Sequence, residues 1–235
     1  RYRDYCPNGL QVEGRREVTR LVSGVTACQA LLDAAVAANA DAILVHHGYF
    51  WKSEDPCIRG MKGRRIRTLM EADINLYAYH LPLDCHPSLG NNAGLGRAMG
   101  LTDFGPANSA DPTFPVFTGS FEEAVELKSL CRSLSDTLGR SVLCEGNDSV
   151  QSVQKVAWCT GGGQGYIDAA IDAGADLFVT GEVSEQTIHI ARERGVAFIA
   201  AGHHATERFG ARSVGEWLGS RLGLDHTFID IDNPA

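Results

Sequence analysis

The sequence of 235 residues lacks the features that mark several large classes of protein. It contains no apolar run long enough to span a membrane, and its first residues (RYRDYCPNGL) lack the apolar stretch of a secretory leader. Basic residues are also scarce, with 21 Lys plus Arg against 29 Asp plus Glu. The formal net charge of -8 argues against a broad surface that tracks nucleic-acid phosphates. We therefore expect a cytoplasmic protein without a membrane partner, and nucleic acid is not favoured as a partner.

Closely spaced cysteine pairs are missing as well. None of the seven cysteines belongs to a C-x-x-C pair, and they are scattered along the chain as Cys6, Cys28, Cys57, Cys85, Cys131, Cys144 and Cys159. An odd, scattered number is more typical of reduced thiols than of a disulfide framework. We therefore expect the cysteines to be small core residues.

Apolar segments alternate with helical patterns in the first half of the chain. Strands are predicted at 19–26, 41–45 and 74–79, and helices at 27–39 and 64–73. This β-α-β-α-β order is typical of an α/β fold with a largely parallel sheet. The basic run at 62–67 fits the solvated face of a helix better than an anion site.

The second half of the chain repeats this plan. The segments predicted as strands are 153–160, 176–180 and 196–200, with a helix at 166–173 whose sequence (YIDAAIDA) parallels LLDAAVA at 31–37. In each half, a histidine with a carboxylate four residues later follows the third strand: His80 with Asp84, and His203 with Glu207. We predict two related α/β lobes, 1–102 and 151–235, which intertwine as one compact unit and face a shared metal-binding cleft.

Residues 103–150 separate the two predicted lobes and are predicted to form a connecting or edge segment. Within it we expect a strand at 114–119 and a helix at 120–138. Ser120 and Glu123 have the spacing of a capping box at the start of that helix.

Histidines follow an apolar strand at the point where it ends. His46 and His47 come directly after DAILV, and the carboxyl ends of parallel strands form the crevice of open α/β sheets. Adjacent side chains on an extended chain point in opposite directions. One histidine can therefore serve each of two ions, or one can be a ligand and the other a buried, hydrogen-bonded residue.

The two histidine–carboxylate pairs differ in their expected geometry. His203 and Glu207 can share one face of a helix, which makes His203 the preferred ligand over His204. Pro82 lies between His80 and Asp84 and opposes a regular helix, so Asp84 is the stronger ligand candidate of that pair.

Three imidazoles and two carboxylates are too many ligands for one catalytic ion that must keep an open position. They suit two ions that share a bridging carboxylate. Nitrogen and oxygen donors without a thiolate favour Zn, Mn, Fe, Co or Ni over calcium. Two such ions lower the pKa of a bridging water and supply a hydroxide nucleophile, so the predicted reaction is hydrolysis.

Five segments carry a resemblance to a known family. They are DYCPNGLQVEG (4–14), GVTA (24–27), DAILVHHGYFWK (41–52), YHLPLDCHPSLGNN (79–92) and GHHATERFG (202–210). They resemble the NGG-one-interacting-factor-three-like family of type 2 GTP cyclohydrolase homologues, and within it the short bacterial YbgI-type members. The usual N-terminal helix of that family has no counterpart here, so we expect a missing N-terminal element.

The resemblance implies a two-lobed protomer with two divalent metal ions and a toroidal homo-hexamer. The family's ligands fall on His46, His47, Asp84, His203 and Glu207, with Glu207 as the bridge. His80 lies outside that ligand set, so we expect it to orient ligands or to transfer protons as a catalytic residue.

The implied function is a GTP cyclohydrolase type 2-like hydrolase that acts on a nucleotide-like or ring-containing small molecule. Two alternatives remain: a metal-containing, ring-shaped binding or regulatory protein without turnover, and a scaffold whose metals only stabilise the fold.

Three weaker signals each have two interpretations, and a fourth has one. The glycine loop Gly161–Gly165 can cradle a phosphate or form a tight turn. Tyr49, Phe50 and Trp51 can stack a base or form a hydrophobic wall. Glu182 can accept a proton or be a solvated carboxylate. Asn91 and Asn92 are expected to hold the loop that carries Asp84.

Overall fold

The computed structural model describes residues 1–146 and 150–235. They form two compact units, each built on one β-sheet. The first comprises Arg1–Leu83 and Gly210–Asp232, and the second comprises Asp84–Phe209 and Asn233–Ala235. Within the described ranges, no helix is long and apolar enough to cross a bilayer.

The strands and helices alternate through most of the chain. The strands are β1 (Gly9–Val12), β2 (Arg20–Thr26), β3 (Ala42–His47), β4 (Asn75–Ala78), β5 (Phe104–Pro106), β6 (Phe117–Glu126), β7 (Leu143–Glu145), β8 (Ser152–Cys159), β9 (Leu177–Thr180), β10 (Ala197–Ala200) and β11 (Asp225–Phe228). The helices are α1 (Gln29–Ala37), α2 (Gly60–Glu71), α3 (Leu81–Asp84), α4 (Asn91–Ala98), α5 (Leu127–Leu138), α6 (Ile167–Asp172), α7 (Glu185–Arg194), α8 (His203–Thr206) and α9 (Arg208–Leu222).

The sheet of the first unit is parallel except at one edge. Its order is β1-β4-β3-β2-β11, and only β1 pairs in the antiparallel direction. Alternate residues of the strands point to opposite faces, so Ile43 packs with Leu31 of α1 whereas Leu44 packs with Leu218 of α9. Because both faces are covered, the strands are continuous apolar runs rather than alternating ones.

The sheet of the second unit is mixed. Its order is β5-β6-β8-β9-β10-β7, and only the pairs β8-β9 and β9-β10 are parallel. Trp158 on β8 joins the core that α5 covers, and Phe178 on β9 joins a second core beside α6 and α7. The parallel part of this sheet is therefore again buried on both faces.

The predicted repeat is confirmed, because β2-α1-β3-α2-β4 and β8-α6-β9-α7-β10 have the same order and direction of strands. The prediction of a helix at 120–138 is wrong at its start. β6 continues to Glu126, where it pairs with Ser152, and the helix begins at Leu127. Because Ser120 pairs with Lys155 in this sheet, the capping box with Glu123 does not form.

In each repeat an aspartate precedes the second strand. Its carboxylate accepts hydrogen bonds from backbone N–H groups at the start of the first strand. Asp41 accepts the backbone N–H groups of Thr19 and Arg20, both at 2.9 Å. Asp176 accepts those of Gln154 and Lys155 at 3.0 and 2.8 Å. Burial raises the pKa of Asp41, but the hydrogen bonds outweigh it and lower that pKa to about 2.

The expectation that all cysteines are reduced is wrong for one pair. Cys131 of α5 and Cys144 of β7 form a disulfide, which the scattered sequence spacing did not reveal. Cys6, Cys85 and Cys159 are buried thiols, as predicted, whereas Cys28 is only partly buried and Cys57 is exposed.

Candidate metal sites

The two histidines at the end of β3 are both held through Nδ1. His46 is fully buried, and its Nδ1 donates to the carbonyl oxygen of Tyr79 at 2.9 Å. The Nδ1 of His47 lies 3.2 Å from the hydroxyl oxygen of Thr26, the strand residue paired with it. The ring centroids are 4.5 Å apart. A neutral imidazole whose Nδ1 carries the proton has its lone pair on Nε2, the atom that can bind a metal.

His80 joins these two histidines within the first unit. It follows β4, and its ring centroid lies 5.1 Å from that of His46 and 5.8 Å from that of His47. One ring nitrogen from each of the three lies within 4.8 Å of the others. The Nδ1 of His80 lies 2.6 Å from Oδ1 of Asp4. The structure thus brings together the three histidines predicted for this half of the chain.

The aromatic residues after the histidine pair have different roles. Tyr49 is buried and donates its hydroxyl to the carbonyl oxygen of Ala27 at 2.7 Å, so it belongs to the hydrophobic wall. Phe50 adopts a left-handed conformation (φ 65°), and Glu54 accepts its backbone N–H. This turn brings Trp51 against His80, with the two rings nearly perpendicular and their centroids 4.9 Å apart.

Two carboxylates contact His203 in the second unit. His203 begins α8, with Nδ1 2.6 Å from Oε1 of Glu182 and Nε2 3.2 Å from Oε2 of Glu207. Burial lowers the pKa of His203, but these two carboxylates outweigh it and raise that pKa to about 9. The predicted contact across one helical turn is therefore present.

Asp84 is buried in the second unit and is oriented by its neighbours. Its Oδ1 accepts the side-chain amide of Asn91 at 2.8 Å and the hydroxyl of Thr160 at 3.2 Å. A carboxylate oxygen of Asp84 lies within 4.8 Å of one of Glu207. Asn91 holds Asp84 as predicted, whereas Asn92 donates to the carbonyl oxygen of Pro115.

The glycine loop makes room for Glu207. Gly161 has φ +67°, and a Cβ there would lie 2.0 Å from Oε1 of Glu207 and 3.2 Å from Nε2 of His203. The backbone N–H groups of Gly161 and Gly163 donate to the hydroxyls of Thr206 and Thr180, both at 3.0 Å. Because these N–H groups already have partners, the geometry favours the tight turn over a phosphate cradle.

Sequence reasoning missed two carboxylates that hold histidines. The sequence left Glu182 as either a proton acceptor or a solvated carboxylate, and in the structure this exposed side chain accepts Nδ1–H of His203 and the side-chain amide of Gln164 at 3.1 Å. Asp4 had no assigned role, although it belongs to the N-terminal segment that carried the resemblance. For Glu182 the signal was its position at a strand end, equivalent to that of His47.

The donor set fits divalent metal ions. In each of the four histidines 46, 47, 80 and 203, a protein oxygen lies at hydrogen-bond distance from Nδ1. Metal-ligating histidines almost always have such a partner, which fixes the tautomer and the ring orientation. The buried Asp84 and Glu207 add oxygen donors. Burial raises the pKa of Cys6, beside Asp4, to about 12, so a thiolate ligand is disfavoured there.

Comparison with known proteins decides the family. A family model described as Duf34/NIF3 (NGG1p interacting factor 3) matches residues 1–234. The chain belongs to the Duf34/NIF3 family.

A relative in that family, from Pseudomonas aeruginosa, is 58% identical over 235 residues, covering 100% of this chain and 92% of the relative. An Escherichia coli K12 relative is 56% identical over 232 residues, covering 99% of this chain and 92% of the relative. Both carry the name "GTP cyclohydrolase 1 type 2 homolog".

Solved structures of Duf34/NIF3 relatives have the same fold. The protein ybgI, whose function is described as unknown, is 56% identical, with a TM-score of 0.94 over 100% of this chain and 93% of that one. A Thermus thermophilus protein is 36% identical, with a TM-score of 0.88 over 99% and 92% of the two chains. The predicted family and the mixed α/β fold class are therefore confirmed.

Proposed function

We propose that this protein is a dinuclear metal-dependent hydrolase that acts on a nucleotide-like or ring-containing small molecule. In this proposal His46, His47, Asp84, His203 and Glu207 hold two divalent ions, with Glu207 as the shared ligand. The observation that carries the proposal is that a protein oxygen lies at hydrogen-bond distance from Nδ1 of each ligand histidine. For His46 and His203 that oxygen accepts the Nδ1 proton, so Nε2 is the nitrogen that would bind a metal. The name shared by the curated relatives supports the substrate class.

The chain's own residues have distinct tasks in this proposal. Two bound divalent ions supply Lewis-acid chemistry, by which a water molecule loses a proton more easily and a substrate oxygen is polarised. Tyr79, Thr26 and Glu182 orient the ligand imidazoles, and Asn91 and Thr160 orient Asp84. His80 stands outside the ligand set and presents a ring nitrogen that can exchange a proton with a bound molecule.

The assembly and the location belong to the same proposal. The family resemblance favours a toroidal homo-hexamer in the cytoplasm, with the metal-binding residues of each protomer facing the interior of the ring.

Metal content of single variants tests the ligand set. Purified wild-type protein should contain about two ions per chain by elemental analysis, as two-metal hydrolases do. His46→Ala and Glu207→Ala should each lose at least one ion. His189→Ala is the matched control, because His189 is exposed on α7, and it should retain both ions. Wild-type metal content in His46→Ala and Glu207→Ala would refute the ligand set.

Turnover tests the reaction. We expect hydrolysis of GTP or of a related cyclic amide by the metal-loaded protein, and its loss after treatment with a chelator. Two ions per chain without turnover on GTP, cyclic amides or phosphoesters would refute the hydrolase and favour the ring-shaped binding or regulatory protein.

A further inference from the structure

We propose that Asp4 is a positioning residue that fixes the orientation and the tautomer of His80, so that Nε2 of His80 is presented as a hydrogen-bond acceptor beside His46 and His47. The inference rests on the proposed function for its catalytic meaning, but its structural content can be tested without turnover.

The carboxylate of Asp4 is held rigidly. Its side chain is 4% exposed, and each oxygen has two donors. Oδ1 accepts the backbone N–H of Tyr5 and Nδ1–H of His80, both at 2.6 Å. Oδ2 accepts the side-chain amide of Asn8 at 2.8 Å and the backbone N–H of Leu81 at 3.0 Å. With four donors around two oxygens, the carboxylate has one orientation in which every donor keeps its partner.

This arrangement determines which nitrogen of His80 carries the proton. An ionised carboxylate only accepts hydrogen bonds, so Nδ1 of His80 must be the donor. The neutral ring then has its lone pair on Nε2. The same oxygens argue against a separate metal site formed by Asp4, Cys6 and His80, because a cation there would have to displace the donors that hold Asp4.

The surrounding residues keep the ring in place. Asn8 donates to Asp4 and also accepts the backbone N–H of His80 at 2.8 Å, so one side chain fixes both partners. The ring of Trp51 stands edge-on to that of His80, with an interplanar angle of 82°. Rotation of the His80 ring would therefore break a partly buried hydrogen bond and an aromatic contact together.

The second unit shows what such a carboxylate does for a histidine. Glu182 holds Nδ1 of His203 at the same 2.6 Å, and the other nitrogen of His203 meets the ligand carboxylate of Glu207. Asp4 holds Nδ1 of His80 at the same distance, but the further neighbours of His80 are two imidazoles rather than a second carboxylate, and both imidazoles are themselves proposed ligands. In this proposal His80 lies beside the metal-binding residues but is not itself a ligand. A bound water or a substrate N–H can then donate a hydrogen bond to its Nε2.

Solid-state NMR of zinc-loaded protein with ¹⁵N-labelled histidine tests the tautomer directly, because protonated, unprotonated and zinc-bound ring nitrogens have distinct ¹⁵N shifts. His80→Gln identifies the His80 signals. We expect wild-type His80 to show a protonated Nδ1 and an unprotonated Nε2 without zinc. In Asp4→Asn the amide can donate to Nδ1, so we expect a population with the proton on Nε2. Asp33→Asn, an exposed carboxylate of the same unit, is the control and should leave the His80 signals unchanged.

Metal content separates this proposal from its alternatives. Asp4→Asn and His80→Gln should keep the wild-type number of zinc ions, while any turnover falls by about 10²-fold or more. Loss of zinc from His80→Gln, a zinc-bound His80 nitrogen or a proton on Nε2 in the wild type would each overturn the proposal. The wild-type and His80→Gln measurements decide it even where Asp4→Asn does not fold. Absence of turnover in the wild type refutes the hydrolase but leaves the tautomer test intact.

Discussion

His80 and His203 occupy equivalent places in the two units, yet their partners come from different parts of the chain. Each follows the third parallel strand of its repeat and has Nδ1 at 2.6 Å from a carboxylate. Asp4 lies in the segment before β1, outside the repeat, and its side chain is 4% exposed. Glu182 follows β9, inside the repeat, and its side chain is 45% exposed. The repeat therefore determines where each imidazole ring lies, whereas the burial of its carboxylate partner determines how firmly the ring is held.

A second difference concerns the carboxyl end of the first strand of each repeat. Strand pairing shows which residues are equivalent: Gly24 pairs with Val45, and Cys159 pairs with Thr180. Val45 and Thr180 each lie four residues after the aspartate that precedes their strand, Asp41 or Asp176. Two residues further on, the first unit has Thr26, which holds His47, and the second has Gly161, which lies against Glu207. A side chain supports a proposed ligand in one unit, and the absence of a side chain makes room for a proposed ligand in the other.

Among the variants that test this difference between the units, Gly161→Ala should have the largest effect on metal content. The added Cβ would lie 2.0 Å from Oε1 of Glu207, so Glu207 must move and at least one ion per chain should be lost. The positive φ adds a cost of about 1 kcal/mol or more to the free energy of folding. Elemental analysis and urea unfolding measure the two effects.

Gly195→Ala is the matched control for Gly161→Ala. Gly195 has φ +68°, and a Cβ there would meet no described atom within 4 Å. Gly195→Ala should therefore have the same cost of a positive φ as Gly161→Ala, but it should retain the wild-type metal content. Equal metal content in the two variants would show that Glu207 does not need the space beside Gly161.

Glu182→Gln should have an intermediate effect that is specific to metal affinity. Removing the charge that holds Nδ1 of His203 weakens the orientation of a ligand, which typically lowers metal affinity about 10- to 100-fold. Stability should change little, because Glu182 is half-exposed. Competition with a chromogenic zinc chelator measures the affinity, and the exposed Glu185→Gln is the control. Unchanged zinc affinity in Glu182→Gln would mean that His203 is not a ligand or does not need this support.

The sequence was informative about the repeat and the strand ends because both are local patterns. Apolar runs followed by His46-His47 or by His203 predict buried strands with polar residues at their carboxyl ends, and the structure has them. The start of α5 was missed because strand pairing with β8, a long-range interaction, outweighs the local capping signal at Ser120. The partnership of Asp4 with His80 spans 76 positions, and no local pattern encodes such a contact.

The smallest effects on metal binding should come from Asp41 and Asp176, the aspartates that precede β3 and β9, which differ as His80 and His203 do. Asp41 is buried and binds Arg15 at 2.8 Å in addition to the backbone, whereas Asp176 is exposed. The pKa of Asp41 is lowered from 3.8 to about 2, so its ionised form stabilises the folded state above pH 3.8, and this contribution is lost as the pH falls towards 2. Asp41→Asn should therefore lower the free energy of unfolding by about 2 kcal/mol at neutral pH, and the difference from wild type should shrink in acid. Asp176→Asn should cost less than about 1 kcal/mol. Urea unfolding at several pH values measures both, and a pH-independent difference for Asp41→Asn would show that its charge does not stabilise the fold.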